Sequence, residues 1–247
     1  MSTSQQTRIH NSDGILHIEL NRPDKMNALT QAMYADLNAV MEQAQSDSVK
    51  VIYITASGEH FTAGNDIADF MAATGNLDES EVVKLLFNLL RCPKPIVAAV
   101  QGNAVGIGTT MLLHCDLVVA ADSTRFSMPF TSLGLCPEAG ASWFFPRLAG
   151  HQKAAEWLLL GESFSAEEAQ HIGLVNKVTA VDEQFSVAEA YCQKLLKLPM
   201  DALITSKALL KTEQQTLEPQ MRKEVEEFAR LLVSPEAKAR FQAFLSR

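Results

Sequence analysis

Apolar and polar positions alternate near the start of the chain and predict a β-hairpin. The alternating runs Thr7–Ile9 and Ile15–Leu20 flank a polar turn that ends at Gly14, which is the pattern of two paired strands. Thr30 then precedes apolar residues at helical spacing, so we expect it to cap an amphipathic helix. The apolar face of this helix comprises Met33, Leu37, Val40, Met41 and Ala44.

Strand and helix patterns alternate over the next segment. Val51–Thr55 is a short apolar run typical of a buried strand, and a helical stretch carries Phe70 and Met71. Another helix is predicted to begin at Ser80 and to end before Pro93. Its apolar face has the spacing of a core face and could also line an apolar pocket; it comprises Val83, Leu86, Phe87 and Leu90.

The most informative stretch contains a glycine-rich turn between two predicted strands. The apolar strand Ile96–Val100 leads into the turn, and a helical segment, Thr109–Cys115, and a second strand, Leu117–Ala121, follow. Strand, turn, helix and strand form a βαβ pattern. Backbone N–H groups at a helix start are free to bind an anion, so this turn is the first candidate for chemistry.

Several functions compete for the glycine turn. Gly106-Ile107-Gly108, with Asp122 after the next strand, matches part of a dinucleotide site, but Met111 stands where the third glycine is expected. The stretch also lacks the Gly-Lys-Ser/Thr ending of a nucleotide-hydrolase phosphate loop. Beside the weak dinucleotide match, two interpretations stay open on the residues alone: an oxyanion site for a carbonyl, and a tight turn that uses glycine only for close packing.

Helical patterns dominate the remainder of the chain. Ser165 and Glu168 form a capping box, and amphipathic helices are predicted from Asp201 and from Glu218. Pro235 introduces a last helix. This last helix carries an apolar stripe of Phe241, Phe244 and Leu245.

Composition narrows the class of protein. A chain of 247 residues fits one α/β domain, and a net charge of −8 argues against nucleic acid as a partner. No apolar stretch of about 20 residues predicts a membrane span, and the first six residues resemble neither a secretory signal nor a transit peptide. Four scattered cysteines indicate reduced thiols, so we expect a cytoplasmic protein. His114 is expected to be a buried, hydrogen-bonded imidazole, and no base is evident beside Cys136.

Five segments stand in the order and at the spacing of a known set of family motifs. They are Arg22-Pro23-Asp24-Lys25-Met26-Asn27-Ala28-Leu29, Phe61-Thr62-Ala63-Gly64-Asn65-Asp66-Ile67, Gly102-Asn103-Ala104-Val105-Gly106-Ile107-Gly108, Cys115-Asp116-Leu117, and Gly173-Leu174-Val175-Asn176-Lys177-Val178. Together they resemble the motifs of the enoyl-CoA hydratase/isomerase (crotonase) superfamily. The resemblance covers nearly the whole chain.

The resemblance implies an architecture and a substrate class. The fold would be α/β, a crotonase (ClpP-like) spiral of ββα units with a C-terminal helical region. Residues 1–195 would form the core with the acyl-CoA and catalytic sites, and 196–247 the helical oligomerisation region of the same domain. The substrate would be an acyl-CoA thioester, bound without a prosthetic group or a metal. The assembly would be a homotrimer or a hexamer built from two trimers.

The chain departs from the hydratases of this family. Their two catalytic glutamates correspond here to Thr110 and Phe130, neither of which can carry a proton at neutral pH. One carboxylate remains, Glu138, in a Cys-Pro-Glu-Ala-Gly segment similar to that of the peroxisomal-type Δ3-Δ2-enoyl-CoA isomerases. Gly64-Asn65-Asp66 and the run from Pro129 to Gly134 are also similar to this subgroup.

The subgroup resemblance implies isomerisation of 3-enoyl-CoA to 2-trans-enoyl-CoA in fatty acid and acyl-CoA metabolism. Glu138 would be the single base, and the backbone N–H groups of Asn65 and Ile107 would bind the thioester oxygen. Asn27 would hold its loop. The positions that correspond to coenzyme A contacts are Lys25, Met26, Ala28, Ala63, Asp66 and Ile67. Alternatives are an enoyl-CoA hydratase, another reaction of the family, and an acyl-CoA-binding protein without turnover.

Two questions about charge stay open in the sequence. The coenzyme A phosphates need local cations, and the candidates are Arg22, Lys25, Lys238 and Arg240. A helix start near Glu138 favours its anion, whereas apolar neighbours would favour the protonated acid. The candidate neighbours are Phe130, Leu135 and Trp143.

Overall fold

The computed structural model describes residues 6–72, 77–211 and 214–246. The strands in these ranges are β1 (Thr7–Ser12), β2 (Ile15–Leu20), β3 (Val51–Ala56), β4 (Ile96–Val100), β5 (Asn103–Val105), β6 (Leu117–Ala121), β7 (Arg125–Ser127), β8 (Phe164–Ser165) and β9 (Lys177–Thr179). The α-helices are α1 (Gln31–Gln43), α2 (Ile67–Ala72), α3 (Glu81–Arg91), α4 (Ile107–Thr110), α5 (Ala141–Ala149), α6 (His151–Leu159), α7 (Ala166–His171), α8 (Glu183–Leu196), α9 (Met200–Leu210), α10 (Gln214–Leu232) and α11 (Pro235–Leu245).

A six-stranded sheet in the order β1-β2-β3-β4-β6-β9 forms the centre of the molecule. The predicted hairpin is present, because β1 and β2 pair antiparallel around a turn in which Asp13 and Gly14 both have positive φ. The remaining pairs in this sheet are parallel. Residues 1–5, which carry most of the N-terminal segment considered for targeting, lie outside the described residues.

Both faces of the parallel strands are covered, so every residue of β3 and β4 is buried and nearly all of them are apolar. Helix α8 covers one face, where Ala188 and Cys192 pack against strand residues such as Val97. Helices α1 and α3 pack on the other face, in the main core. No helix in the described ranges is long and apolar enough to cross a bilayer.

The glycine turn differs from its prediction. A short strand, β5, lies inside it and pairs with β7 in a second sheet of order β5-β7-β8. The helix predicted over Thr109–Cys115 begins earlier, at Ile107, and becomes a 3₁₀ helix over Met111–His114. A strand of three residues is too short to show a two-residue period, and this explains why the sequence pattern did not indicate it.

Three of the predicted helix starts have the expected side-chain cap. The Thr30 hydroxyl accepts from the Met33 N–H at 3.3 Å, the Ser80 hydroxyl accepts from the Val83 N–H at 3.3 Å, and the capping box of Ser165 is complete. Helix α10 is an exception, since it begins at Gln214 rather than at the predicted Glu218. It contains Pro219, which removes one backbone donor without ending the helix.

Candidate active site

The loop that follows β2, which contains residues 22–29, is hydrogen-bonded to the loop that follows β3. The Leu29 N–H donates to the Gly64 carbonyl at 2.8 Å, and the Ala63 N–H donates to the Met26 carbonyl at 2.9 Å. Asn27 is fully buried; its amide donates to the Ser57 and His60 carbonyls, and its side-chain oxygen accepts from the Arg22 N–H. Asn27 therefore holds this loop.

The loop after β3 is also hydrogen-bonded to the glycine-rich segment. The Thr62 N–H donates to the Asn103 carbonyl, and the Val105 N–H donates to the Thr62 carbonyl, both at 3.0 Å. Gly64 has φ +88°, and a Cβ there would lie 2.9 Å from the Val105 carbonyl oxygen. Only glycine permits this backbone approach, which brings the two loops together.

Where these loops meet, two backbone N–H groups are free to bind a ligand. The N–H groups of Asn65 and Ile107 have no acceptor within the part of the chain that the structure describes. Ile107 is the first residue of α4, where an N–H lacks an intrahelical partner, and Gly106 turns the chain with φ +56° and ψ −119°. The Asn65 side chain is fixed by a short hydrogen bond from the buried Tyr34 hydroxyl. No sequence signal indicates Tyr34, because it lies in an ordinary apolar helix pattern.

Glu138 lies in the segment before α5 and is buried, with 7% of its surface exposed. Its Oε1 accepts a short hydrogen bond from the Thr110 hydroxyl, whereas its Oε2 is buried without a partner among the described residues. The side chain lines a cavity together with Asn65 and Ile107. The other walls are apolar and are formed by Phe70, Leu77, Val82, Val83, Leu86, Val225 and Phe228.

Burial determines the protonation of Glu138. Burial raises the pKa of Glu138 to about 8; the Thr110 hydrogen bond opposes this rise and the Glu224 carboxylate adds to it.

The apolar walls come mainly from α3 and α10, so the predicted core face of α3 also lines the site. The predicted neighbours differ: Phe130 and Leu135 line the adjoining cleft, and Trp143 packs against Phe144 under Arg147.

A larger cleft of about 780 Å³ adjoins the Glu138 cavity. Cleft and cavity share Asn65, Ile107, Phe70 and Phe228 as lining residues, so they meet at the two free N–H groups. All six positions predicted to contact coenzyme A line the cleft: Lys25, Met26, Ala28, Ala63, Asp66 and Ile67. A cleft of this size suits a cofactor-sized ligand.

The four basic residues predicted as candidates for binding the coenzyme A phosphates do not all line the cleft. Arg22 lines the cleft, but its guanidinium is engaged by the Asp66 carboxylate at 2.7 Å and the Ala28 carbonyl at 3.0 Å. Lys25 also lines the cleft. Lys238 lines a neighbouring groove that shares Phe70 and Phe241 with the cleft. Arg240 does not line the cleft.

Comparison with known proteins identifies the family and the fold of this chain. The family model described as "Enoyl-CoA hydratase/isomerase" matches residues 10–247. The chain belongs to this family. Its fold is the crotonase fold: the structure of Pseudomonas aeruginosa OdaA superposes with a TM-score of 0.95 at 42% identity, covering 99% of this chain and 100% of that one.

Relatives within the family carry several different names. Rat "Enoyl-CoA delta isomerase 2" is 37% identical over 212 residues, covering 82% of this chain. Escherichia coli "1,2-epoxyphenylacetyl-CoA isomerase" is 33% identical, covering 86% of this chain and 84% of that protein. The chain spans only 53% of the length of the rat relative. The chain is therefore an enzyme of the enoyl-CoA hydratase/isomerase family, whose members use coenzyme A thioesters as substrates without a prosthetic group.

Two further titratable groups close to Glu138 are neutral. The His114 ring is buried and its Nε2 lies 2.8 Å from the Ala139 carbonyl, as predicted for a satisfied imidazole. Burial lowers the pKa of His114 to about 4 and raises the pKa of Cys136 to about 11, so neither group is charged at neutral pH. Within the described ranges no cluster of side chains has the composition of a metal site.

Proposed function

We propose that this enzyme isomerises 3-enoyl-CoA thioesters to 2-trans-enoyl-CoA by a 1,3-proton shift. One observation carries the proposal: the unpaired Oε2 of Glu138 lies in an apolar cavity that begins at the N–H groups of Asn65 and Ile107. A base, an oxyanion site and a hydrocarbon pocket therefore meet at one junction. The chain has these three parts and lacks a second carboxylate beside them at Thr110 or Phe130.

The coenzyme A moiety would lie in the cleft, with its thioester carbonyl at the junction and its acyl chain in the cavity. Loss of a proton from C2 places negative charge on the thioester oxygen, as a dienolate. The Asn65 and Ile107 N–H groups would bind that oxygen; removing one such donor in other enzymes costs roughly 10²–10³ in rate. Since the backbone supplies the donors, isoleucine at position 107 is compatible with the role.

Glu138 would take the proton from C2 and return it to C4. A carboxylate with a pKa of about 8 is a stronger base than an exposed one, and a positioned base of matched pKa contributes roughly 10²–10⁴ in rate. The apolar walls keep water away from the dienolate. One carboxylate is sufficient because the proton leaves and returns on the same acyl chain.

The cavity walls also indicate the substrate class. Apart from Asn65 and Glu138 the lining residues are apolar, so a hydrocarbon chain fits and a charged acyl group does not. The cavity holds only about 20 Å³ in this structure, roughly the volume that one water needs. A bound acyl chain must therefore displace apolar side chains such as Phe70 and Phe228.

Hydration is disfavoured by the same residues. Adding water to a double bond requires one group that activates water and another that protonates carbon. Thr110 donates its only hydroxyl proton to Glu138, and the phenyl ring of Phe130 packs against Phe228 with ring centroids 6.5 Å apart. Neither position supplies the second acid.

The test is incubation of the purified protein with a trans-3-enoyl-CoA, following the ultraviolet absorbance of the conjugated 2-enoyl thioester. We expect the absorbance to rise, and to stay unchanged with the isosteric Glu138→Gln variant, which keeps an oxygen to accept from Thr110. The same protein with a 2-enoyl-CoA distinguishes hydration, because water addition would lower the absorbance. Turnover that persists in Glu138→Gln, or hydration without isomerisation, would reject the proposal.

A further inference from the structure

Helix α10 carries a buried carboxylate, Glu224, which has no part in the proton shift described above. Its side chain lies in the core with only 5% of the residue exposed. A carboxylate is costly to bury unless hydrogen bonds compensate for the lost water. The partners of Glu224 therefore indicate what this carboxylate holds.

In the part of the chain that the structure describes, every hydrogen bond to the Glu224 carboxylate comes from a residue just after Glu138. Glu224 Oε2 accepts from the Gly140 N–H at 2.6 Å, and Oε1 accepts from the Ser142 N–H at 3.0 Å and from the Ser142 hydroxyl in a short bond. Gln220, one turn earlier on α10, donates to the same hydroxyl at 2.9 Å. The carboxylate thus caps the first turn of α5, a role that suits a negative charge.

The segment that Glu224 holds has an unusual backbone. Ala139 and Gly140 have φ of +56° and +79°, so two consecutive residues are left-handed. Such a conformation in alanine persists only where the surroundings fix it. The His114 ring binds the Ala139 carbonyl at 2.8 Å from one side, and Glu224 binds the Gly140 N–H from the other.

We propose that Glu224 is a positioning residue for Glu138: its carboxylate fixes the backbone turn that directs the Glu138 side chain into the cavity, and its negative charge acts on Glu138 there. This inference rests on the proposed function, in which Glu138 is the base. It adds a second carboxylate that never touches the substrate. Helix α10 then both positions Glu138, through Glu224, and lines the acyl cavity, through Val225 and Phe228.

The charge effect follows from the groups around Glu138. Tyr34 on α1, His114 after α4, Cys136 in the same segment and Glu224 on α10 are the titratable neighbours. Burial raises the pKa values of Tyr34 and Cys136 and lowers that of His114, so these three are neutral near pH 7. Burial also raises the pKa of Glu224, and its hydrogen bonds from Ser142 and Gly140 oppose that rise because they stabilise the anion. The Glu224 anion in turn raises the pKa of Glu138 and makes the base stronger.

The variant that tests this is Glu224→Gln, which keeps the size of the side chain and removes its charge. The matched control is Glu226→Gln, an equal change of charge at an exposed position of the same helix. Each protein is assayed for 3-enoyl-CoA turnover across a pH series. Each is also labelled with ¹³C at the glutamate side-chain carboxyl, and the Glu138 signal, assigned by its loss in Glu138→Gln, is titrated by NMR.

For Glu224→Gln we expect the Glu138 titration and the acid limb of kcat/KM to move to lower pH. We also expect kcat to fall about 10-fold or more, as for a displaced catalytic group, with little change in KM. Glu226→Gln should behave as the wild type. A Glu138 midpoint that stays in place in Glu224→Gln overturns the inference, because a purely structural carboxylate would lower stability without moving it.

A second variant covers the case in which Glu224→Gln does not fold. Glu224→Asp keeps the charge and withdraws it by one methylene group, so kcat should fall while KM is retained. Wild-type kcat in Glu224→Asp overturns the inference. If the wild-type protein itself does not turn over 3-enoyl-CoA, the proposed function fails, and the NMR titration still tests the effect of Glu224 on Glu138.

Discussion

At the scale of single residues, Glu138 combines reactivity with a stability cost. Among the described residues its carboxyl has one hydrogen bond, from Thr110, and most of the cavity wall around it is apolar. The environment disfavours the charge, and the catalytic proposal requires the charged form. The consequence is a dependence on pH in both activity and stability.

The first prediction concerns activity and pH. Because burial raises the pKa of Glu138 to about 8, the base is mostly protonated at pH 6 and mostly ionised at pH 9. We expect kcat/KM to rise with pH and to level off above about 8, since this parameter reports the free enzyme. A pH series with the 3-enoyl-CoA assay checks it; a profile that is already flat from pH 5 would contradict the assignment of the base.

The second prediction concerns stability. The folded protein keeps the Glu138 proton up to about pH 8, whereas the unfolded chain loses it near the ordinary value of 4.5. The free energy of unfolding therefore falls as pH rises between these values. Glu138→Gln removes this contribution, and we expect it to be more stable than the wild type at pH 9 by about 1–3 kcal/mol.

Urea unfolding of both proteins at pH 5 and pH 9 measures this difference. At pH 5 the two should be of similar stability, because the native acid is neutral in the wild type. A variant that is less stable than the wild type at pH 9 would show that the charged form is well solvated in the folded protein.

The third prediction concerns Thr110. Its hydrogen bond lowers the pKa of Glu138 against the larger effect of burial and fixes the Oε1 atom. In Thr110→Val both effects are lost, so the acid limb should move to higher pH. We expect kcat/KM at pH 7 to fall about 10-fold, the value of one hydrogen bond to a charged group. Thr110→Ser retains the hydroxyl and should stay close to the wild type; equal losses in both variants would indicate packing rather than hydrogen bonding.

At the scale of elements, the site depends on the close approach of two loops. Gly64 and the Val105 carbonyl are so near that a Cβ would come within 2.9 Å of the oxygen. This contact sets the distance between the Asn65 and Ile107 N–H groups. The oxyanion site is therefore a property of the loop pair rather than of one motif.

The fourth prediction tests the loop pair with Gly64→Ala. Its added methyl group must push the loops apart, and we expect kcat to fall by about 10²–10³, as for the loss of one oxyanion donor. Gly150→Ala is the matched control, because Gly150 also has positive φ (+80°) but an added Cβ there has nothing within 4 Å. Because Gly150 has φ +80° and ψ +161°, a conformation largely restricted to glycine, the control should lose about 1–3 kcal/mol of stability and keep its kcat. Wild-type turnover by Gly64→Ala would contradict the loop-pair argument.

Local signals predicted the elements well, and long-range contacts explain what they missed. Thr30, Ser80 and Ser165 marked helix starts because a cap acts within three residues. The tie between Glu224 and Gly140 joins residues far apart in the chain, and no local pattern encodes it. The direction of the Glu138 pKa likewise stayed open, since the decisive apolar walls come from α3 and α10.

At the scale of the whole molecule, exposed apolar side chains are prominent in the C-terminal helices. Those in the region predicted for oligomerisation are Leu198, Leu209, Leu210, Val233, Phe244 and Leu245, each at least half exposed. Such surface is costly in water and is typical of an interface. It supports the proposal that residues 196–247 join copies of this chain.

The fifth prediction is that the protein is a trimer, or a hexamer of two trimers, in solution. Leu209→Glu combined with Leu210→Glu places two charges on the most exposed apolar pair and should lower the native mass, measured by light scattering after size exclusion. Val181→Glu is the control, because Val181 is 52% exposed and lies outside residues 196–247. A monomeric wild-type protein would contradict the proposal.

The hydrogen bond between Thr110 and Glu138 has an evolutionary consequence. A glutamate at position 110 would put two carboxyl groups in one dry pocket, where like charges force them to share a proton and titrate as a coupled pair. The number of protons that the pocket can exchange would change from one to two with the backbone left in place. A change of chemistry could thus begin with one substitution beside a fixed oxyanion site, and position 110 is where a second carboxyl group would meet Glu138.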